Sequence, residues 1–446
     1  MLKMDNLKKD KKNKIGLTRN VDRSKVDKFI NNLPFALTKD QLDSIDNIFN
    51  DLNSPNRMNR LLQGDVGSGK TIVAIIALYI NYLSNYQGAL MAPTEVLAYQ
   101  HYQNLKKLFK DYDIKIELLT GSLKQKEKKD IYQKLINKET DIIIATHALF
   151  SNDVKYNNLG LVITDEQHRF GVNQRSNLKN KGITPDILYL SATPIPRTYA
   201  LTIYGDMDVS SIKTMPSGRK KIKTYLKSNK DIKDVLTLIY EEIKSKHQIY
   251  VIAPLIEESD KIDLENVNEL EEEMSKAFSK VCKIGVMHGK MDKQEKDKVM
   301  EEFKKGDITI LISTTVIEVG VDVPNATTIV IFDAYRFGLS QLHQLRGRVG
   351  RNDMQSYCIL ISDKEAERLD IMTKTTDGFK ISEEDFKLRG SGDLFGTKQS
   401  GDMHFKVADF KTDYNILLKA KEDVENINIS NYPKLITLIN ESNNLD

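Results

Sequence analysis

The run Gly64-Asp-Val-Gly67-Ser68-Gly69-Lys70-Thr71 has the spacing GxxxxGK[ST] and sits between two apolar segments, RLLQ and IVAIIALYI. Its glycines let successive backbone N–H groups wrap a phosphate chain, and a helix opening there adds the positive end of its dipole. Lys70 then reaches the β- and γ-phosphates while the Thr71 hydroxyl ligates Mg²⁺, so ATP and Mg²⁺ are the expected cofactors. A glycine turn by coincidence is the competing reading, and the strand before it and the helix after it weigh against that. Asp165-Glu166-Gln167-His168 ends a further apolar run, LGLVIT. Asp165 suits Mg²⁺ held through water, and Glu166 suits activation of an attacking water. Alone, these four residues equally fit a solvated acidic turn; beside a phosphate loop, hydrolysis is the better account. Ser191-Ala-Thr193 closes the next apolar run before Pro194 and Pro196, where short hydroxyls could sense hydrolysis or simply end a strand. Upstream, Gln41 could read an adenine edge with one donor and one acceptor and Phe35 could stack on the base. A surface amide at a helix start is the plainer reading of Gln41.

A second constellation is basic. Gln341-Leu-His-Gln344-Leu-Arg346-Gly-Arg348-Val-Gly-Arg351 crowds three arginines into a chain whose usual cation is lysine. Arginine retained there points to a need for a planar, permanently charged donor. A solvated basic helix is the alternative, though this chain would build one from lysine. Arg348 and Arg351 are three apart, so they are expected on one helical face, as arginine fingers on a γ-phosphate across a cleft between lobes. Between Ser313 and Asp322, the hydroxyls, Thr315 among them, suit phosphate-backbone contacts and Asp322 a ribose hydroxyl; these residues alone fix neither role. The stretch LRGSGDLFGTKQSG (388–401) hints at a dinucleotide fingerprint. Gly390, Gly392 and Gly396 instead give GxGxxxG, and no apolar strand leads in.

These residues need a scaffold, and the apolar pattern supplies one. RLLQGD (60–65), GALMAP (88–93), KIELLT (115–120), DIIIAT (141–146), GLVITD (160–165) and ILYLSA (187–192) read as short buried strands, with amphipathic helices at 95–110 and 124–137. Such alternation predicts a parallel sheet covered on both faces. KTMPSGRK (213–220) reads as a linker. Alternation then restarts with KIKTYLK, QIYVIAPL, KIGVMHG, ITILIST, TTIVIFD and SYCILIS. The last eighty or so residues lose it and read as mainly helical.

The bulk properties agree. At 446 residues, a prior of roughly 150 residues per domain gives about three domains. A net charge of +3 assigns any nucleic-acid affinity to local basic surfaces rather than to a global field. Cys282 and Cys358 lie in apolar, strand-like runs and read as buried small hydrophobes of a reducing cytoplasm, which excludes a disulfide framework or zinc ribbon. No secretory signal and no membrane-length apolar run is present, so the expected location is cytoplasmic and no membrane partner is expected.

Taken in order, GDVGSGKT, APTEVLAYQHY, LTGS, ATHALF, DEQHRFGV, SATPIPRT, APLIEESD, MHGKM, STTVIEVGVDVPNA and FGLSQLHQLRGRVGR follow the layout of helicase superfamily two. From about Leu33 to Gly401 the set resembles the RecG family of ATP-dependent DNA helicases, which remodel stalled forks and junctions. The related Mfd family of transcription–repair coupling factors would be expected to show a different acidic quartet. The resemblance implies α/β architecture with two tandem RecA-like parallel-sheet lobes of the P-loop NTPase type, and a mainly helical C-terminal appendage bearing a hairpin. The segments are a charged extension (1–32), an ATP-binding lobe (33–215), a second lobe (216–365) and the appendage (366–446). It implies an ATP site from Phe35, Gln41, Gly64, Gly67, Ser68, Gly69, Lys70, Thr71 and Asp322, and catalysis by Lys70, Asp165, Glu166, Arg348 and Arg351. Coupling falls to His168, Ser191, Thr193, Gln344, Arg389 and Gln399, and phosphate-backbone contacts to Thr94, Thr120, Gly121, Thr146, His288 and Thr315. LRGSGDLFGTKQSG then matches the translocation motif that RecG and Mfd proteins share, which marks a double-strand translocase. The implied partners are branched or duplex DNA, with single-strand DNA-binding protein or a separately supplied wedge domain, acting on a monomer. RecG-like proteins carry such a wedge, an oligonucleotide-binding fold, before the motor; only about 32 residues precede LPFALTKDQ here, so weak fork regression is expected. An Mfd-like translocase, a motor-impaired DNA-binding regulator and an RNA helicase are the rival readings.

Overall fold

The computed structural model describes residues 16–389 except 18, 152, 166–184, 193–206, 217, 254–259 and 315–322, together with isolated residues from 416 to 434. Two compact units are present: the first takes in the described residues up to Gly64, Lys70–Lys213 and those from Phe386 on, the second Asp65–Gly69 and Thr214–Asp385. The boundary falls at the start of the Pro- and Gly-bearing segment that reads as a linker.

The first unit opens with α1 (Arg23–Asn31) and α2 (Lys39–Leu52). Strands β1 (Asn59–Gly64), β2 (Gln87–Met91), β3 (Ile116–Leu119), β4 (Ile142–Ala145), β5 (Leu159–Thr164), β6 (Asp186–Ser191) and β7 (Asp208–Ile212) follow. Between them run α3 (Lys70–Leu83), α4 (Glu95–Leu108) and α5 (Gln125–Ile136). The strands form one sheet in the order β3-β4-β2-β5-β6-β1-β7, with every pair parallel. Continuous runs such as Ile142-Ile-Ile-Ala145 and Leu159-Gly-Leu-Val-Ile-Thr164 are buried at every residue, as strands covered on both faces require. Helix α3 is apolar nearly all round and almost wholly buried, so it belongs to the core.

The expected charged extension over 1–32 differs from the structure in its second half. Val21, Val26 and Phe29 are buried in the main core, and Phe29 stacks on Tyr79 and Phe109 with centroids 4.7 and 5.4 Å away. The fixing residue is Arg19, whose side chain is fully buried. Its guanidinium donates to Asp186 Oδ2 (2.6 Å), Asn81 Oδ1 (2.9 Å) and the carbonyls of Gly160 (2.8 Å), Leu52 (3.3 Å) and Leu17 (3.3 Å). Asp186 also accepts from the Met58 N–H at 2.6 Å.

The second unit repeats the design. Strands β8 (Lys223–Lys227), β9 (Gln248–Ile252), β10 (Ile284–Met287), β11 (Ile310–Ser313), β12 (Ala326–Ile331) and β13 (Tyr357–Ile361) make a parallel sheet in the order β10-β11-β9-β12-β13-β8. Helices α6 (Ile232–Lys244), α7 (Asp260–Phe278), α8 (Lys293–Lys305) and α9 (Leu339–Arg346) intervene, and α10 (Glu367–Lys374) and α11 (Gly378–Arg389) follow. Asp292 and Glu295 close a capping box at the head of α8, and Gly306, at φ +87°, ends it in the left-handed region that glycine tolerates. Cys358 lies buried in β13, where burial pushes its thiol up to about 12. Cys282 does not follow the strand reading: it is only half-buried, in the bend before β10. No described helix is long and apolar enough to cross a membrane.

Candidate nucleotide and nucleic-acid site

The phosphate loop takes the shape its residues require. Gly67 (φ +78°) and Gly69 (φ +85°) occupy conformations that a side chain would strain, between the end of β1 and the start of α3. The Ser68 N–H turns back to the Asp65 carbonyl at 3.1 Å. Lys70 is the first residue of α3 and largely buried; its Nζ donates to the Gly64 carbonyl at 2.8 Å. Thr71 follows in the first turn of that helix.

The parallel order sets the neighbours. Gln63 on β1 pairs with Ser191 on β6, and β5 flanks β6, so the phosphate loop, Ser191 and Asp165 leave three adjacent strands at one edge. That is the carboxyl edge, where open α/β sheets bind ligands. Asp165 is half-buried, and its Oδ2 lies 3.0 Å from Nε2 of His101 on α4. The oxygen donors here, a threonine hydroxyl and one carboxylate, suit Mg²⁺, which prefers few carboxylates plus phosphate and water. Gln41 is no surface amide. It is buried in the first turn of α2, where its Oε1 accepts from the Thr38 N–H at 2.8 Å and Thr38 Oγ1 accepts from its own N–H at 3.3 Å. Phe35 is half exposed.

The other half of the same edge carries the residues expected to grip phosphates. Thr94 follows β2, Thr120 and Gly121 follow β3, and Thr146 follows β4. Thr94 is the N-cap of α4, its Oγ1 accepting from the Leu97 N–H at 3.3 Å. Ser122 ties the first two segments together: it donates to Glu95 Oε2 at 2.7 Å and sits 3.0 Å from Thr120 Oγ1. Lys128 Nζ donates to the Gly121 carbonyl at 2.8 Å. Glu95, Ser122 and Lys128 were not singled out from sequence, since isolated polar residues at loop starts carry no pattern.

In the second unit, His288 follows β10 and is half-buried, while Gln344 lies on α9. The arginines depart from expectation. Helix α9 ends at Arg346, so Arg348 and Arg351 do not share a helical face; Gly347 caps the helix and Gly350, at φ +74°, turns the chain away from helical geometry. Arg348 is largely buried, and Arg351 Nε donates to the Gly347 carbonyl at 3.3 Å. Arg346, the third of the group, has a structural task. Buried to 2% exposure, it donates to the carbonyls of Met372 (2.8 Å) and Thr375 (2.9 Å), anchoring α10. Burial lowers its pKa. Its Nη2 lies 3.2 Å from His343 Nδ1; a guanidinium only donates, so Nδ1 accepts and the His343 proton resides on Nε2. Glu166, His168, Thr193, Thr315, Asp322 and Gln399 lie outside the described residues. Arg389 is the last residue of α11, and the rest of the expected C-terminal hairpin and loop lies beyond the described residues.

Two tandem parallel sheets of this order define the two-lobed fold of the superfamily two helicases. The chain matches the DEAD/DEAH box helicase model over residues 38–201 and the helicase conserved C-terminal domain over 230–353. Residues 375–437 match the C-terminal part of domain 3 of the ATP-dependent DNA helicase RecG. The chain belongs to the RecG family. It is 51% identical over 416 residues to the ATP-dependent DNA helicase RecG of Bacillus subtilis, covering 92% of this chain and 61% of that protein. The RecG of Streptococcus pneumoniae is 51% identical over 411 residues, covering 91% and 61% respectively. The chain thus spans about 61% of the length of these curated relatives. A solved structure of RecG bound to a three-way DNA junction superposes with a TM-score of 0.77 at 44% identity, over 93% of this chain and 55% of that one. Yeast Dbp5 bound to RNA, at 19% identity and a TM-score of 0.54 over 87% of this chain and 97% of its own, shares the fold alone.

Proposed function

We propose that this chain is the motor of a double-stranded DNA translocase that hydrolyses ATP to remodel forks and branched junctions. The observation that carries this is the carboxyl edge of the first sheet, where the phosphate loop, Asp165 and Ser191 occupy one half and Thr94, Thr120, Gly121 and Thr146 the other. In this reading the backbone N–H groups of Gly67–Lys70 and the Lys70 ammonium bind the phosphates of ATP. Thr71 and, through water, Asp165 would hold Mg²⁺, which would supply neutralisation of charge on the phosphates. Glu166 takes a proton from water as its oxygen attacks the γ-phosphorus, and the β–γ bridging bond breaks to leave ADP. Gln41 and Phe35 bind the base and Asp322 the ribose. Arg348 and Arg351 serve as finger residues by their place in QLHQLRGRVGR. His168, Ser191, Thr193, Gln344, Arg389 and Gln399 relay the nucleotide state. The threonines, Gly121 and His288 contact phosphates, so binding is insensitive to sequence and steeply dependent on salt. The kinship to RecG, one solved example of which holds a three-way junction, supports branched DNA as the substrate.

The test is ATP turnover with and without branched duplex DNA. Wild-type protein is expected to be stimulated by DNA, more by duplex than by RNA, and Lys70→Ala and Glu166→Gln to lose turnover by about a hundredfold or more. Unchanged turnover in either variant refutes the assignment of the site.

A further inference from the structure

We propose that His101 is a positioning residue: it orients the Asp165 carboxylate and joins it to the helix whose first turn meets DNA. The inference rests on reading Asp165 as the Mg²⁺ carboxylate and the Thr94 segment as a DNA contact. His101 lies in α4 with 3% of its surface exposed, and its Nε2 is 3.0 Å from Asp165 Oδ2. An ionised carboxylate only accepts, so the bridging proton belongs to Nε2 and Nδ1 presents a lone pair. That Nδ1 is buried and has no partner among the described residues. The side-chain contact that His101 makes among the described residues is thus directed at the carboxylate.

Asp165 is held a second time from the same direction. Its N–H donates to the Met91 carbonyl at 2.9 Å, and Met91 ends β2, the strand that runs into Ala92-Pro93-Thr94. Thr94 caps α4, and His101 lies seven residues on, about 10 Å along the axis. Backbone and side chain of Asp165 are therefore tied to the two elements that meet at Thr94. A shift of that junction when a phosphate docks moves the carboxylate with it. Groups that orient a metal-binding carboxylate commonly change metal affinity by about 10–100-fold when removed.

The experiment uses the full chain and fluorescent mant-ADP, titrated with Mg²⁺ with and without duplex DNA. Lys70→Ala serves as the reference. If Lys70→Ala binds mant-ADP as well as wild type, the nucleotide reading of the site fails, and if Mg²⁺ leaves the wild-type affinity unchanged, the Mg²⁺ reading of Asp165 fails, whatever His101 does. Given that reading, His101→Leu and His101→Asn should raise the Mg²⁺ concentration for half-saturation about tenfold. Mant-ADP affinity without Mg²⁺ should stay unchanged. Both variants should also lose the DNA-dependent shift of the Mg²⁺ curve seen in wild type. His101→Gln, whose amide N–H falls near the Nε2 position, should restore both. Should His101→Leu not fold by circular dichroism, the comparison of Asn with Gln decides alone. Wild-type Mg²⁺ curves in Leu and Asn, or Gln failing alongside them, overturn the positioning role. A wild-type curve that DNA does not move overturns the link to α4.

Discussion

The Arg19–Asp186 pair offers the sharpest measure of how the first unit is held together. Arg19→Met keeps most of the aliphatic stem and removes every donor, leaving Asp186, 2% exposed, with the Met58 N–H as its hydrogen-bond donor among the described residues. Burial raises the Asp186 carboxyl pKa, with Arg19 the leading influence that draws it back down. Breaking a buried pair from one side typically costs about 3–5 kcal/mol, because the orphaned charge stays desolvated. Three further carbonyls and the Asn81 amide oxygen also lose their partner, so the upper end of that range applies. For a unit of this size, about 2–4 °C is lost per kcal/mol, which puts the fall in melting temperature near 10–20 °C. The assay is urea unfolding followed by circular dichroism, using the transition of the first unit since two units need not melt together. Asp186→Leu and the double variant complete a cycle. The double variant should be more stable than Arg19→Met, because two apolar groups leave no buried charge, and the coupling should exceed about 1.5 kcal/mol. A cost for Arg19→Met below about 1 kcal/mol, or a coupling below about 0.5 kcal/mol, refutes the argument that this segment is anchored by a buried pair.

Other expectations concern the remaining anchors and the thiols. Arg346→Lys should destabilise the second unit nearly as much as Arg346→Met, by about 3 kcal/mol in urea unfolding, since a lysine cannot reproduce the planar fork whose Nη1 reaches the Met372 and Thr375 carbonyls while Nη2 reaches His343 Nδ1. Thr94→Ala should cost about 1 kcal/mol through loss of the helix cap, and should weaken DNA binding while leaving ADP binding in place. Native protein should expose no more than Cys282 to a thiol reagent at pH 8, and both cysteines after denaturation. Because the Cys358 thiol is raised to about 12 in the fold, the unfolded chain ionises first. Stability should therefore fall between about pH 9 and 12 by up to about 1.4 kcal/mol per pH unit. Cys358→Ala should remove the thiol's share of that slope and leave the share of the tyrosines Tyr79, Tyr82, Tyr132 and Tyr156, whose pKa values burial also raises.

Much of the scaffold was legible because strands buried on both faces must be apolar throughout. The runs at 88–93, 141–146 and 160–165 correspond to β2, β4 and β5 within a residue or two. Strand β7, Asp-Val-Ser-Ser-Ile, was missed: it lies at the end of the described sheet and is only partly buried, so its pattern is half polar. Helix α1 was hidden by its charges, since only Val26 and Phe29 of its nine residues enter the core. The arginine pair lies off the helix that its three-residue spacing suggests, because Gly347 and Gly350 end the helical geometry there. His101 and Arg19 left no signal at all. Each is a single polar residue whose partner is distant in sequence, 64 positions away for His101 and 167 for Arg19.

The strand order has a thermodynamic corollary. Met91 and Thr164 are cross-strand partners on β2 and β5, so the segments leading to Thr94 and Asp165 depart from neighbouring strands, about 4.8 Å apart. If DNA is bound on one and Mg²⁺-nucleotide on the other, no long relay of side chains is needed between them. Reciprocity then fixes the exchange: whatever factor DNA contributes to the affinity for Mg²⁺-nucleotide, the nucleotide returns to the affinity for DNA. Tight grip and loose grip on the track would be two readings of one equilibrium, set across a single strand spacing.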